Sequence, residues 1–422
     1  MAIQAEQLSF SHFGNKTYAD AGSFADELRE FKDFDTATRV ESHPDSNIDL
    51  PVFINEFWTS KQRAASSLHE ISYRACFKPQ LPRFFINRLT KAGDIVYDPF
   101  MGRGTTPLEA RLLGRIPAGC DINPLSRILL EPRFSPPSEA EVAERLNTMP
   151  DATPKLSDFN ELKVFYHPNT LRQIITLRKY LLDREANGRI DNVDSWIRMV
   201  ATNRLTGHSS GFFSVYTLPP NQAVSLESQV KINQKRNQVP PKRDVKAIIQ
   251  KKTRTLLHKL DSSDLHALSQ VGTSHIYTGS CDDTPSIPSN SVSLVVTSPP
   301  FLDVVNYQKD NWLRCWFNGF DAEEISIWQL KKAEDWSEAM TRVFRELRRI
   351  LKPGGYIAFE VGEVRGGKIL METLVVPAAR AAGLDPKLIL INEQQFTKTA
   401  NCWGVSNSTK GTNTNRVVLL QK

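Results

Sequence analysis

Apolar positions in this chain keep one rhythm in two separate stretches, with a long region between them that does not follow it. Residues 1–70 mix polar and apolar positions with little periodicity and read as an N-terminal extension. From Gly93 the pattern alternates. Residues 94–98 (DIVYD) predict a short buried strand, 106–113 (TPLEARLL) a helix, and 116–121 (IPAGCD) a second strand ending in a carboxylate. This rhythm stops after Pro124 and resumes at Ser274, with strands predicted over 275–279 and 291–297 (SVSLVVT). Over 335–351, Trp336, Met340, Val343, Phe344, Leu347, Ile350 and Leu351 share one helical face, and Lys352-Pro353-Gly354-Gly355 ends the helix. Further strands are predicted at 356–361 (YIAFEV), 387–391 (KLILI) and 416–420 (RVVLL). Short apolar strands alternating with amphipathic helices predict an α/β domain. An insertion over 134–272, Pro-rich at first and then helical, divides it into halves at 71–133 and 273–422.

Composition narrows the class without choosing a function. A chain of 422 residues, 40% hydrophobic and 24% charged, can bury a full α/β core and carry a second module. Its net charge of +6 is mild for the length, so any nucleic-acid surface must be a local concentration of charge. Five cysteines, with no CxxC pair, indicate neither a disulfide framework nor a zinc site, and no metal is expected. The N-terminus lacks an apolar run of signal-peptide length and no stretch is apolar enough to span a bilayer, which predicts a cytoplasmic protein.

Two short runs carry the chemistry. Asp98-Pro99-Phe100-Met101-Gly102-Arg103-Gly104-Thr105-Thr106 has the form of a glycine turn between a buried strand and a helix, where backbone can come close to a nucleoside cofactor. Thr297-Ser298-Pro299-Pro300-Phe301 places a hydroxyl, two prolines and an aromatic ring at the end of another apolar strand. Together these runs resemble the cofactor and catalytic motifs of the amino-group DNA methyltransferases, which methylate an exocyclic nitrogen of cytosine or adenine using S-adenosyl-L-methionine. The resemblance covers roughly 69–124 and 275–421 and implies a Rossmann-like methyltransferase sheet with helices on both faces. Motif order follows the family's α arrangement, although the insertion falls before Asp282 rather than after it. The Ser at the head of the second motif points to cytosine N4.

From the resemblance, Ser298 and the Pro299 carbonyl are the expected acceptors for the target amino group. The consecutive prolines Pro299 and Pro300 stiffen the turn and carry no N–H donors. Phe301, where many members have Tyr, keeps the face that stacks on a flipped base and lacks the hydroxyl. On the cofactor side, Asp98, Pro99, Phe100, Gly102, Gly104, Thr105 and Thr106 are expected near the methionyl group. Asp121 sits where a carboxylate accepts ribose hydroxyls, or else caps a helix. Asp282, with Asp283 as an alternative, resembles the acidic position facing the adenine amino group. Phe77 and Pro79 belong to a segment that helps wall the pocket, with core packing as the other reading of Phe77.

The second half of the insertion is the most basic part of the chain. Lys231, Lys235, Arg236, Lys242, Arg243, Lys246, Lys251, Lys252, Arg254 and Lys259 face a single acid, Asp244. These charges read as an ordinary solvated helix face or, beside a base-modifying core, as a DNA phosphate contact. Residues 203–213 (NRLTGHSSGFF) are either a turn packed on the core or a loop that props the flipped base or fills its gap. The expected partner is double-stranded DNA, with a cognate restriction endonuclease acting separately as a further partner of such enzymes. Adenine N6 and RNA-base methylation are the alternatives. Carbon-5 cytosine methylation is disfavoured because the chain has no Pro-Cys nucleophile.

Overall fold

The computed structural model describes residues 20–422 apart from 35, 60–64, 75, 151–153, 219–221, 271, 301–306, 329, 331, 365–368 and 394–413. Among these residues the first half comprises α1 (Ala21–Glu30), β1 (Arg39–Ser42), β2 (Pro51–Asn55), α2 (Gln80–Leu89), β3 (Ile95–Asp98), α3 (Thr105–Leu112), β4 (Ile116–Asp121) and α4 (Leu125–Leu130). Helices α5 (Glu139–Thr148), α6 (Pro168–Ala186), α7 (Asn192–Arg204), α8 (Leu226–Arg236), α9 (Val245–Leu257) and α10 (Ser262–Gln270) lie between β4 and the next strand. The remainder is β5 (His275–Thr278), β6 (Val292–Thr297), α11 (Tyr307–Phe317), α12 (Ala333–Ile350), β7 (Leu351–Val361), β8 (Glu363–Val364), β9 (Ile369–Leu370), α13 (Glu372–Ala381), β10 (Asp385–Glu393) and β11 (Thr414–Gln421).

Nine strands form one sheet in the order β1-β2-β10-β11-β7-β6-β3-β4-β5. Strands β5, β4, β3, β6 and β7 run parallel, whereas β11 is antiparallel to both β7 and β10. Both faces are covered, as the expected Rossmann-like fold requires. Val96, Leu294 and Val296 point to a core shared with α1 and α2, while their neighbours Tyr97 and Val295 point to a core shared with α12 and α13. A strand buried on both faces reads as a continuous apolar run, which is why β3 and β6 are recognisable in the sequence.

Helix α12 shows its logic most clearly. Trp336, Met340, Val343, Phe344, Leu347 and Ile350 are all buried along one face, and the Phe344 ring meets Phe359 of β7 at a centroid distance of 4.8 Å. Glu334 and Asp335 sit in its first turn and Arg348 and Arg349 in its last, each with the favourable sign for the helix dipole. Each fully buried large apolar side chain contributes about 1.5–3 kcal/mol relative to exposure.

Residues 21–55, which show little periodicity, nonetheless build α1 and two strands of the sheet. Strand β2 pairs parallel with β10, and the Asn392 side-chain oxygen accepts from the backbone N–H groups of Phe57 at 2.7 Å and Trp58 at 3.0 Å. The helices between β4 and β5 form a separate core that also takes in Leu108 and Leu112 of α3 and Leu129 and Leu130 of α4. No helix among the described residues is long and apolar enough to cross a membrane.

Candidate active site

Strand order reverses between β3 and β6: the chain leaves β3 toward β4 on one side and leaves β6 toward β7 on the other. In an open α/β sheet the crevice outside the carboxyl ends at such a switch point is where ligands bind. Both sequence motifs begin here. The Thr297 hydroxyl donates to Asp98 Oδ1 at 2.6 Å, and the Thr106 hydroxyl donates to the Val296 carbonyl at 2.9 Å. Runs 199 residues apart are thereby stitched together at the ends of adjacent strands.

A cavity of about 280 Å³ opens at this junction. Of the expected residues, Phe77, Asp98, Pro99, Phe100, Gly102, Thr105, Asp121, Ser298 and Pro300 line it. Gly102 has φ +50° and its N–H donates to Asp121 Oδ2 at 2.8 Å, while the Asn123 N–H donates to the other Asp121 oxygen at 2.8 Å. Asp121 thus caps the backbone on both sides of the crevice and still has lone pairs free on each oxygen. Phe77 both lines the cavity and packs against the core of α1 and α2.

Other expected residues stand behind the wall. Gly104 has φ +77°, and a Cβ there would lie 2.5 Å from Leu130 Cδ1, so this glycine serves packing under the turn. Thr106 faces Val296 as above, Pro79 is buried at the start of α2, and Pro299 is buried within its turn. Asp282 pairs with Arg342 at 3.3 Å and accepts from the Ser280 hydroxyl, whereas its neighbours Gly279, Ser280 and Cys281 reach the cavity. Phe301 lies outside the described residues.

Burial sets the electrostatics. Desolvation pushes the Asp98 carboxyl up to about 7, against the opposing hydrogen bonds from Thr297 and the Phe100 N–H and with the nearby Asp121 adding to the rise. Asp121 is raised for the same reason, against the backbone donors of Asn123 and Gly102. Two buried carboxyls in one cavity favour a positively charged occupant, which would stabilise the ionised form of each. This donor set fits S-adenosylmethionine, whose sulfonium and ammonium are cationic and whose ribose offers hydroxyls.

Several lining residues carry no mark in the sequence. Ser326, Ile327 and Trp328 come from the connection between α11 and α12, and the Trp328 ring meets Phe100 edge-on at 6.4 Å. Nothing in a polar connecting segment singles those residues out in advance. Glu360 carried a signal: it is a lone acid inside the apolar run of β7, only 6% exposed, next to Ser298 across the sheet. Its carboxyl accepts from Asn415 Nδ2 at 3.0 Å, and the Ser298 hydroxyl beside it opposes the rise in its proton affinity that burial causes. Among the described residues no group of His, Cys, Asp and Glu is placed to hold a metal ion.

The insertion adjoins this site. Asn203 exchanges hydrogen bonds with the backbone of Ser72, and Arg74, which lines the cavity, bonds Gln222 at 2.9 Å and Asp310 at 2.6 Å. Residues 203–213 are largely packed: Phe212 and Phe213 are buried and Arg204 lies over the Phe212 ring at 4.0 Å, with Ser209 and Ser210 exposed at the tip. Of the basic residues, Lys231, Lys235, Arg236, Lys242, Lys251 and Arg254 are exposed, and Arg243, Lys246 and Lys252 are partly buried. Lys252 lies 3.9 Å from Glu70 and is lowered to about 8, chiefly by desolvation, while Arg254 pairs with Glu139 at 3.1 Å and Arg236 stacks on Tyr216 at 3.8 Å.

Comparison with known proteins bears on this geometry. Residues 22–126 match the DNA methylase family. The chain is 37% identical over 73 residues to the type II methyltransferase M.MjaII of Methanocaldococcus jannaschii, covering 17% of this chain and 14% of that protein. It is 23% identical over 302 residues to the type II methyltransferase M.BsoBI of Geobacillus stearothermophilus, covering 64% and 55%. A third relative, the tRNA (guanine(10)-N2)-dimethyltransferase of M. jannaschii, is 33% identical over 91 residues, covering 19% and 26%. The chain therefore spans about half of M.BsoBI and smaller parts of the other two. The matched segment takes in β1 to β4 and the glycine turn between β3 and α3, and all three relatives are named as methyltransferases.

Proposed function

We propose that the protein is a site-specific DNA methyltransferase that methylates the exocyclic N4 of a flipped cytosine in duplex DNA. The observation that carries this reading is the joining of Asp98 to Thr297, which opens the glycine turn and Ser298 into one cavity. When bound there, S-adenosylmethionine supplies an electrophilic methyl group. Asp98 and the Gly102–Thr105 turn hold its methionyl end, Asp121 takes the ribose hydroxyls, and Phe77, Phe100 and Trp328 wall the cavity around it.

Cytosine N4 is conjugated into its ring and is a weak nucleophile. The chain must therefore hold the amino group with acceptors that favour a pyramidal nitrogen, and keep water away. In this reading Ser298 Oγ, which lines the cavity, and the Pro299 carbonyl of the same turn take this role, and the paired prolines offer no competing donor. The Pro300 carbonyl is already taken by the Trp336 indole N–H at 3.0 Å, which fixes the turn. Phe301 stacks on the extruded base in this reading, and the exposed lysines and arginines of 231–254 contact phosphates.

The same acceptors suit adenine N6, and the tRNA-modifying relative makes an RNA base a further alternative. One measurement separates them. Purified protein is incubated with labelled S-adenosylmethionine and either duplex DNA or tRNA, and the products are digested to nucleosides and identified by mass. N4-methylcytosine in DNA is the expected product, whereas N6-methyladenine or label confined to RNA would overturn the proposal.

A further inference from the structure

We infer that Glu360 is a positioning residue that acts through Ser298, holding the serine hydroxyl as an acceptor for the target amino group and taking the proton that this group must lose. The inference rests on the amino-methyltransferase reading and extends it to a residue of β7. Strands β6 and β7 are parallel and in register, with Thr297 opposite Phe359, so the next position sets Ser298 beside Glu360. On the other side β11 brings Asn415, whose Nδ2 donates to Glu360 Oε1 at 3.0 Å.

The hydroxyl of Ser298 has one proton and two lone pairs. With that proton given to Glu360, its neighbour on β7, the lone pairs are what remain for a group entering from the cavity that Ser298 lines. A free serine could donate to the amino nitrogen and occupy the electron pair needed for attack; this one is committed elsewhere. Methylation replaces an N–H bond with an N–C bond, so one proton must leave the nitrogen. It passes to Ser298 Oγ as the serine's own proton passes to Glu360, leaving serine neutral and glutamate as the acid.

The surroundings suit that task. Desolvation raises the proton affinity of Glu360, while Ser298 and Asn415 oppose the rise, and both are uncharged. The nearest cation along β11, Arg416, is committed to Glu372 at 2.6 Å. Among the described residues Glu360 has no fixed positive partner, and a buried carboxylate without one is a stronger base than it would be in water.

The test is a double-mutant cycle on the full-length protein with its duplex substrate. Glu360→Gln preserves shape and an acceptor oxygen but cannot take the proton; it should slow single-turnover methylation by about 10²-fold, the lower range for lost acid–base assistance. Affinity for S-adenosylhomocysteine should stay within about twofold, since Glu360 stands behind Ser298 rather than in the cofactor's surroundings. In a Ser298→Ala background the same change should cost nothing further, and Glu360→Asp should recover part of the rate. Equal losses in both backgrounds, or an unchanged rate, would overturn the inference. A readout without turnover is the carboxyl band of Glu360 in infrared difference spectra against Glu360→Gln. Its titration should shift in Ser298→Ala, and a titration that does not move sinks the inference. If wild-type protein methylates adenine or RNA, the function proposed above fails while the Ser298–Glu360 coupling is still read on that amino group.

Discussion

Asp98 shows how one buried side chain can tie cofactor binding to pH. Its carboxyl is raised to about 7, above the 3.8 of an exposed aspartate, because burial disfavours the charge. In the unfolded chain it ionises near its ordinary value. Between about pH 4 and 7 the folded state thus holds a proton that the unfolded state has lost, and this group's contribution to stability falls as pH rises through that window. Above 7 the folded protein carries a desolvated carboxylate, which a cationic ligand relieves. S-adenosylhomocysteine, through its ammonium, should bind tightly above about pH 7 and weaken by up to about tenfold per pH unit below it, as one bound proton must be released. Its thermal upshift should be larger at about pH 8 than at about pH 6. Asp98→Asn keeps an oxygen for Thr297 and the Phe100 N–H, so it should fold, bind weakly and lose the pH dependence in calorimetry. A wild-type affinity that is flat from about pH 5.5 to 8 would remove Asp98 from the ligand's surroundings.

Among elements, the segment 67–77 decides whether the cavity has a wall. Among its described residues the regular structure is one short turn at Ser67–His69, yet Tyr73, Arg74, Cys76 and Phe77 all line the cavity. Arg103, between the two motif glycines, donates to the carbonyls of Ile71 at 2.7 Å, His69 at 3.3 Å and Phe77 at 3.5 Å, and to Thr105 Oγ1 at 3.2 Å. The buried Arg133 holds the Arg103 and Leu68 carbonyls in turn. Arg103→Ala should weaken S-adenosylhomocysteine by about 1.5–3 kcal/mol, the range for hydrogen bonds to a charged group. It should also speed proteolysis within 67–77 while the rest of the chain stays protected; unchanged affinity and cleavage would show that the segment holds itself. This dependence also explains what could be read in advance. Strands β3, β4 and β6 are apolar runs bounded by turn residues, and their ends agree with the expectation to within a residue. Helix α12 was legible because its apolar spacing repeats along the whole of its length. Strand β1 is exposed throughout and β2 is five residues long, so neither has a period to detect. Leu130 beneath Gly104, a second reason for glycine in the turn, shows only in the structure. The wall at 326–328 and the pairing of Glu360 with Ser298 arise from topology, which brings together residues that no local pattern connects.

At the scale of the whole molecule, the helical insertion is docked on the α/β half beside the cavity. Ser67 donates its hydroxyl to the Leu256 carbonyl at 2.6 Å, Arg111 bonds the Leu268 carbonyl at 2.9 Å, and Arg74 links the cavity to Gln222. A basic surface on such a body can hold a duplex in a fixed relation to Ser298. The charges divide into two groups, which makes the idea testable. Lys231, Lys235, Lys242 and Lys251 are exposed, whereas Lys252 and Arg254 have acidic partners within the chain. Replacing the four exposed lysines by Gln should weaken specific and random duplexes alike, since phosphate contacts position a protein without reading sequence. The slope of log affinity against log salt should become shallower by up to about 0.9 for each phosphate that is no longer neutralised. Lys252→Gln with Arg254→Gln should leave that slope nearly unchanged, because those charges already answer Glu70 and Glu139. S-adenosylhomocysteine binding should be the same in every variant, as none of these residues lines the cavity. If the fourfold variant keeps the wild-type salt slope, the lysines are an ordinary solvated face and DNA must be held by another surface; if the paired variant flattens the slope instead, Lys252 and Arg254 exchange their acids for phosphates on binding.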